Sequence, residues 1–129
     1  FSQLDKYFDF VKKINPEISI IADAITAMGV EKIDTKNIDA LIGGSQKAFM
    51  LPPGLAVIGL SNSAIEKIGS GKGFYFNLAS EIKKQRQNTT AYTAPTTLVI
   101  GLVKILEEFE RFGFDNLFEI TAKRSEAMI

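Results

Sequence analysis

The stretch Gly44-Ser45-Gln46-Lys47-Ala48-Phe49-Met50-Leu51-Pro52-Pro53-Gly54-Leu55 sets a lysine between a short apolar run and a proline pair. Before it, Ile38 to Gly43 reads as a short buried strand, and after it Gly54 to Leu60 reads as another. A cation at the end of a buried strand asks for a reason. Upstream, Ile18 to Ala22 is a continuous run rich in β-branched residues, followed by Asp23. Such a run predicts a strand covered on both faces, as in a parallel sheet.

Helical periodicity surrounds these strands. Leu4, Tyr7, Phe8, Val11 and Ile14 recur at helical spacing after Ser2, a possible cap, and Asn15-Pro16 ends the run. Ala24 to Gly29 makes a short connection or a turn of helix. Ser63-Ala64-Ile65-Glu66 has the spacing of a capping box and opens a short helix. Leu78 to Arg86 is predicted helical, and Gln87 to Pro95 is polar and irregular. From Thr96 a long helix carries Leu98, Leu102, Ile105, Leu106 and Phe109 and stops at Gly113, and a last helix starts near Asp115. Strands alternating with helices predict an α/β fold with a mixed, mostly parallel sheet and flanking helices.

Composition narrows the chemistry. Lys plus Arg number 15 and Asp plus Glu number 15, so the formal charge is zero, which argues against nucleic acid or an anionic membrane as partner. The short basic run Lys83-Lys84-Gln85-Arg86 reads as a solvated helix face. The longest apolar run, Ala48 to Leu60, is interrupted by Pro52, Pro53 and Gly54 and falls short of the ~18 residues of a membrane helix. There is no cysteine and no histidine, so the commonest metal ligands and the commonest general base are missing and no metal site is expected. Ser70-Gly71-Lys72-Gly73 lacks both the preceding strand and the full glycine spacing of a phosphate loop. The chain opens at Phe1, a residue or two before a helix, which suggests a piece of a longer protein, or a trimmed one.

Open α/β sheets bind ligands beyond the carboxyl ends of their strands. Asp23 and Lys47 are placed at two such ends, and a carboxylate and an ammonium buried there would each be costly without a partner. Pyridoxal phosphate would use both, a lysine for its aldehyde and a carboxylate for its ring nitrogen. The plainer readings are a surface lysine and a turn-forming aspartate.

The residues themselves weigh in. The run from Asp39 to Ala56, with Ser45-Gln46-Lys47-Ala48 followed by Pro52-Pro53-Gly54-Leu55, resembles the cofactor-lysine segment of class V aminotransferases. The nearest likeness is to the alanine–glyoxylate, serine–glyoxylate and serine–pyruvate aminotransferase group. Related cysteine desulfurases carry histidine where this chain has Gln46. Ile20 to Gly29 is similar to the family's strand-end aspartate segment, with Ala22 where valine is usual and Ala27 where serine is common. Thr90-Ala91-Tyr92-Thr93-Ala94-Pro95-Thr96 resembles the family's Tyr-Thr-Pro segment, with Ala94 interposed before Pro95.

The resemblance implies the large domain of the aspartate-aminotransferase-like fold, called fold type I. Residues 1–112 would be the C-terminal half of that cofactor-binding domain, and 113–129 a helix leading towards a small domain. It implies pyridoxal 5′-phosphate as cofactor, Lys47 as the Schiff-base lysine and Asp23 as partner of the ring nitrogen. Gln46 would bond near the phosphate or phenolic oxygen, or be a plain turn residue. Thr93, with Thr90 a weaker candidate, would bind the partner subunit's phosphate in a homodimer that shares its sites, or cap the helix at Thr96. The reaction implied moves an amino group from a small amino acid, alanine or serine, to a 2-oxo acid, glyoxylate or pyruvate, in the cytoplasm. The isolated piece is expected to be inactive, because the family's substrate arginine, ring-stacking aromatic and phosphate loop lie outside it. The competing readings are a non-catalytic interaction domain that keeps the fold and a class V relative with lyase or desulfurase chemistry.

Overall fold

The computed structural model describes residues 4–128. Helix α1 (Asp5–Ile14) begins at Leu4 without a side-chain cap; Ser2, the expected cap, lies outside the described residues. Asp5 in its first turn and Lys12 and Lys13 in its last suit the helix dipole. Its apolar stripe buries no residue completely, and Tyr7 and Ile14 are mostly exposed.

Three strands form one sheet in the order β1 (Ile21–Asp23), β2 (Ala40–Gly44), β3 (Ala56–Leu60). β1 runs parallel to β2 with Asp23 opposite Ile42, and β3 runs antiparallel to β2 with Ala56 opposite Gly44. The sheet is thus mixed, as the α/β reading anticipated. Two expectations about β1 are corrected. It starts at Ile21 rather than Ile18, because the Ile18 N–H turns back to the Asn15 carbonyl. It is also not covered on both faces: Ala22 is buried while Ile21 is 67% exposed, since no described element covers that side.

The amino-terminal end of β2 is held by a buried carboxylate. Asp39 Oδ2 accepts from Lys12 Nζ at 2.7 Å and from the Ile20 N–H at 2.9 Å, and Oδ1 accepts from Ser61 Oγ at 3.1 Å. One side chain therefore ties α1, the approach to β1 and the exit of β3 together. Burial alone would raise its pKa, but the hydrogen bonds from Lys12, Ile20 and Ser61 outweigh that and hold Asp39 below the usual carboxylate value.

Ser61 also caps α2 (Asn62–Ile68) through the Ala64 N–H at 3.0 Å. The expected cap at Ser63 is displaced upstream because β3 ends at Leu60 and the extended backbone that a cap needs falls on Ser61. The Ser70–Gly73 loop follows this helix, not a strand, so it has no phosphate-loop context. α3 (Leu78–Gln85) is capped by Asn77, and α4 (Thr96–Phe112) ends at Gly113, whose φ of 89° is a conformation glycine adopts without strain. α5 (Phe114–Glu126) packs on α4.

The described core runs along β1 and around both ends of β2. It contains Ile20, Ala22, Ala24, Ala27, Ile38 and Phe49, with Phe109 of α4 stacked on Phe49 at a centroid distance of 6.2 Å. Much apolar surface stays open, including Ile100 and Phe112 on α4 and Phe74 and Phe76 in the loop before α3. No helix among the described residues is long and apolar enough to cross a membrane.

Candidate active site

Because β1 and β2 are parallel, their carboxyl ends open on the same side. Asp23 closes β1 as its last residue. Its Oδ1 accepts the Ile25 N–H at 3.0 Å, while the Ala24 N–H bonds the Ile42 carbonyl at 2.8 Å. The side chain thus forms a local turn and remains exposed, leaving carboxylate capacity towards solvent.

At the end of β2 the Gln46 side chain folds back over Gly44. A Cβ on Gly44 would lie 2.8 Å from Gln46 Oε1 and 3.1 Å from Ile25, so the glycine permits this approach. Ile25 is also the residue whose N–H Asp23 holds, so Asp23, Ile25, Gly44 and Gln46 share one corner. Lys47 follows directly. Both Gln46 and Lys47 are exposed, and Lys47 Nζ makes no hydrogen bond or ion pair among the described residues. The expectation of a buried carboxylate and a buried ammonium is therefore corrected: in this chain both groups stand at an open sheet end.

The loop that carries Lys47 is nonetheless well built. The Met50 N–H bonds the Lys47 carbonyl at 2.9 Å, and Met50 takes a φ of 53°. Phe49 is buried beneath the loop, stacked on Phe109 and close to Gly29, whose φ is 98°. Leu51 lies over Gly101 of α4, and Gly54, at φ 136°, sits against Leu98 of the same helix. The structural role expected for Pro52-Pro53-Gly54 matches that geometry: prolines stiffen the return limb, and glycine takes an angle that side chains avoid.

Ser45 was not singled out from the sequence. It is 0% exposed and makes four hydrogen bonds to the return limb of the loop. A serine between glycine and glutamine reads as a turn residue, and nothing local signals that its partners lie at Pro52 and Leu55.

Thr90 and Thr93 lie on a different segment. The Ala91 N–H bonds Glu81 Oε2 at 3.0 Å and Tyr92 Oη donates to the Phe74 carbonyl at 2.8 Å, which fixes that segment against α3 and the preceding loop. Thr90 Oγ1 donates to the Tyr92 carbonyl at 2.5 Å. Both threonines are exposed, and neither caps α4, whose cap position is Pro95 with no side-chain bond. Thr90 lines an apolar groove of about 670 Å³ with Leu55 and Ile58 on one side and Ile82 and Val99 on the other. No hydrogen bond among the described residues joins either threonine to Asp23, Gln46 or Lys47. Lys83, Lys84 and Arg86 are exposed at the end of α3, as a solvated face would be. No group of three metal-ligating residues occurs among the described residues.

The donor set fits pyridoxal phosphate in kind: an amine free to react, a carboxylate at the neighbouring strand end and an amide beside a bare glycine.

No family sequence model matches the chain. An uncharacterised aminotransferase of Helicobacter pylori is 48% identical over 126 residues, 96% of this chain and 34% of that protein. An L-aspartate–glyoxylate aminotransferase of Paracoccus denitrificans is 31% identical over 103 residues, 77% of this chain and 26% of its own length. The crystal structure of a subgroup IV aspartate aminotransferase from Thermus thermophilus superposes with a TM-score of 0.79 at 33% identity, over 87% of this chain and 32% of that one. The chain thus spans about a quarter to a third of the relatives it matches. With the sheet and flanking helices of fold type I, and with likeness along nearly its whole length, the chain is homologous to about a third of the length of the class V aminotransferases.

Proposed function

We propose that the protein is a pyridoxal-phosphate-dependent aminotransferase that moves an amino group from a small amino acid, alanine or serine, to a 2-oxo acid such as glyoxylate or pyruvate. The observation that carries the reading is the common open end of β1 and β2, with Asp23 closing β1 and Gln46 and Lys47 following β2 on a pinned loop. The glyoxylate aminotransferase among its relatives supports the acceptor class.

Each residue has a role that its placement allows. Lys47 would hold the cofactor through its amine. Once displaced by the substrate, that amine would carry a proton between the substrate Cα and the cofactor C4′. Asp23 would accept a hydrogen bond from the ring nitrogen and keep it protonated. Gln46 offers an amide donor to a cofactor oxygen. When bound, the cofactor supplies the aldehyde that takes the substrate amine and the ring that accepts electrons from Cα.

Thr93, exposed and without a partner among the described residues, would donate to the phosphate in the other subunit of a homodimer. Thr90 is the weaker candidate because its hydroxyl already serves the Tyr92 carbonyl. In the same reading, residues 1–112 are the C-terminal half of the large domain, 113–129 lead towards a small domain, and the enzyme works in the cytoplasm. Residues 1–129 alone do not transaminate.

The test is visible absorbance of the protein from its complete reading frame, titrated with pyridoxal phosphate. A protein-bound band lost in Lys47→Ala is the expected outcome. An unchanged band in that variant removes Lys47 from the mechanism, and no band in the unsubstituted protein favours a non-catalytic domain that keeps the fold.

A further inference from the structure

The loop between β2 and β3 has to hold Lys47 at a defined reach while carrying two prolines that donate no backbone hydrogen bond. The ladder between the strands ends at the pair Gly44 and Ala56. Beyond it, Ser45 takes over. Its N–H bonds the Leu55 carbonyl at 3.0 Å, and its carbonyl accepts the Leu51 N–H at 3.0 Å. Its hydroxyl donates to the Pro52 carbonyl at 2.7 Å and accepts the Leu55 N–H at 3.3 Å. Pro52 and Leu55 flank Pro53-Gly54, so the hydroxyl clamps the return limb on both sides of its bend. Lys47 lies two residues further along the outgoing limb.

Other groups hold the loop from outside. Phe49 and Leu51 press on the core and on α4, but apolar contacts are non-directional. Ser45 alone among the described residues joins the two limbs by a side-chain hydrogen bond, and it is itself fully buried while its partners Pro52 and Leu55 lie nearer the surface. We propose that Ser45 is the positioning residue for Lys47: its hydroxyl clamps the loop so that the lysine amine meets the cofactor aldehyde. The proposal rests on the reading of Lys47 as the cofactor lysine.

The experiment uses the protein from the complete reading frame, with Ser45→Ala compared against Ser61→Ala. The comparison is matched in kind. Ser61 also sits just past a strand of this sheet, also uses its hydroxyl twice, and lies at the other end of β3. Two quantities are read: hydrogen exchange of peptides covering residues 45–55 without cofactor, and the rate at which the bound-cofactor band grows on adding pyridoxal phosphate.

Ser45→Ala is expected to speed exchange in that segment and to slow cofactor capture, each by about tenfold, within the scale of losing the two part-buried hydrogen bonds of its hydroxyl. Ser61→Ala leaves both within about twofold. Faster exchange with unchanged capture overturns the proposal and leaves Ser45 a structural residue only. Equal slowing by Ser45→Ala and Ser61→Ala overturns it as well, because general destabilisation then suffices. If Ser45→Ala is insoluble, Ser45→Cys keeps the shape with a weaker donor and acceptor and is held to the same outcomes. Failure of the Lys47 reading is separate: the unsubstituted protein then shows no band that Lys47→Ala abolishes.

Discussion

Replacing Asp39 by alanine tests how this small sheet is held, and its cost follows from the donors it strands. The Ile20 N–H is buried and bonded to Oδ2, so losing that acceptor leaves an unsatisfied donor worth about 1–3 kcal/mol. Lys12 loses its ion pair, but its side chain is 20% exposed and still donates to the Ile18 carbonyl at 2.8 Å, so it recovers part of its solvation and adds only about 1 kcal/mol. Ser61 keeps its capping bond to the Ala64 N–H and loses one further neutral bond, about 1 kcal/mol. The expected loss is about 3–5 kcal/mol, the range for breaking a buried charged pair. Asp39→Asn retains an acceptor for Ile20 and gives up only the charge, so it costs about half as much. Hydrogen exchange of the β1–β3 amides in the protein from the complete reading frame reports this locally, and protection in Asp39→Ala should fall by about two to four orders of magnitude. A change below about tenfold, or a larger one in Asp39→Asn than in Asp39→Ala, refutes the reasoning.

The same group sets an acid limit. Because the folded-state pKa of Asp39 lies below its unfolded value, its contribution is present above about pH 4 and is lost as pH falls through the folded value. Asp39→Asn should therefore flatten the loss of protection as pH falls below about 4, and an unchanged slope there would show that other carboxylates dominate.

Two further substitutions probe the site. Gly44→Ala puts a methyl against Gln46 Oε1 and Ile25; the flexible amide is displaced, so cofactor affinity read by absorbance titration should fall about tenfold while thermal stability drops by no more than about 1–2 kcal/mol. Thr93→Val should weaken cofactor binding more than Thr90→Val, since only the second hydroxyl is already engaged within the chain; equal titration curves would remove Thr93 from the site.

What the sequence made legible is what local pattern encodes. Apolar runs of strand length stop at Asp23 and shortly before Lys47, which marks both as strand-end residues, and the parallel pairing of β1 with β2 puts both ends on one side. Gly113 and Asn15-Pro16 ended their helices as their backbone preferences require. The misses share a physical cause, since each turns on a partner distant in sequence. The apolar run of β1 implies burial on both faces, yet burial depends on what packs there, and Ile21 faces no described element. Ser61 displaced Ser63 as cap because the end of β3, set by its pairing to β2, decides where extended backbone gives way to helix.

Asp39 and Ser45 show the same limit most clearly, and together they explain why β2 is the organising strand. Neither stands out locally, an aspartate before an apolar run and a serine after it. In the fold they flank β2 at its two ends, Asp39 drawing in α1, the start of β1 and the exit of β3, and Ser45 drawing in the return limb of the Lys47 loop. Every residue of β2 pairs with β3, and its first three also pair with β1, so the strand cannot slide without breaking both buried polar anchors. A register shift of one residue would also turn its side chains to the opposite face. The anchoring thus reaches the site through a short path: β2 is fixed in register, Ser45 fixes the loop to β2, and Lys47 follows two residues later. Loosening Asp39 should therefore disturb Lys47 less than loosening Ser45 does, although it costs the fold more. Asp39→Ala is expected to slow cofactor capture less than Ser45→Ala while losing more protection across the sheet, and the reverse order would mean that the loop takes its shape from the sheet rather than from its own clamp.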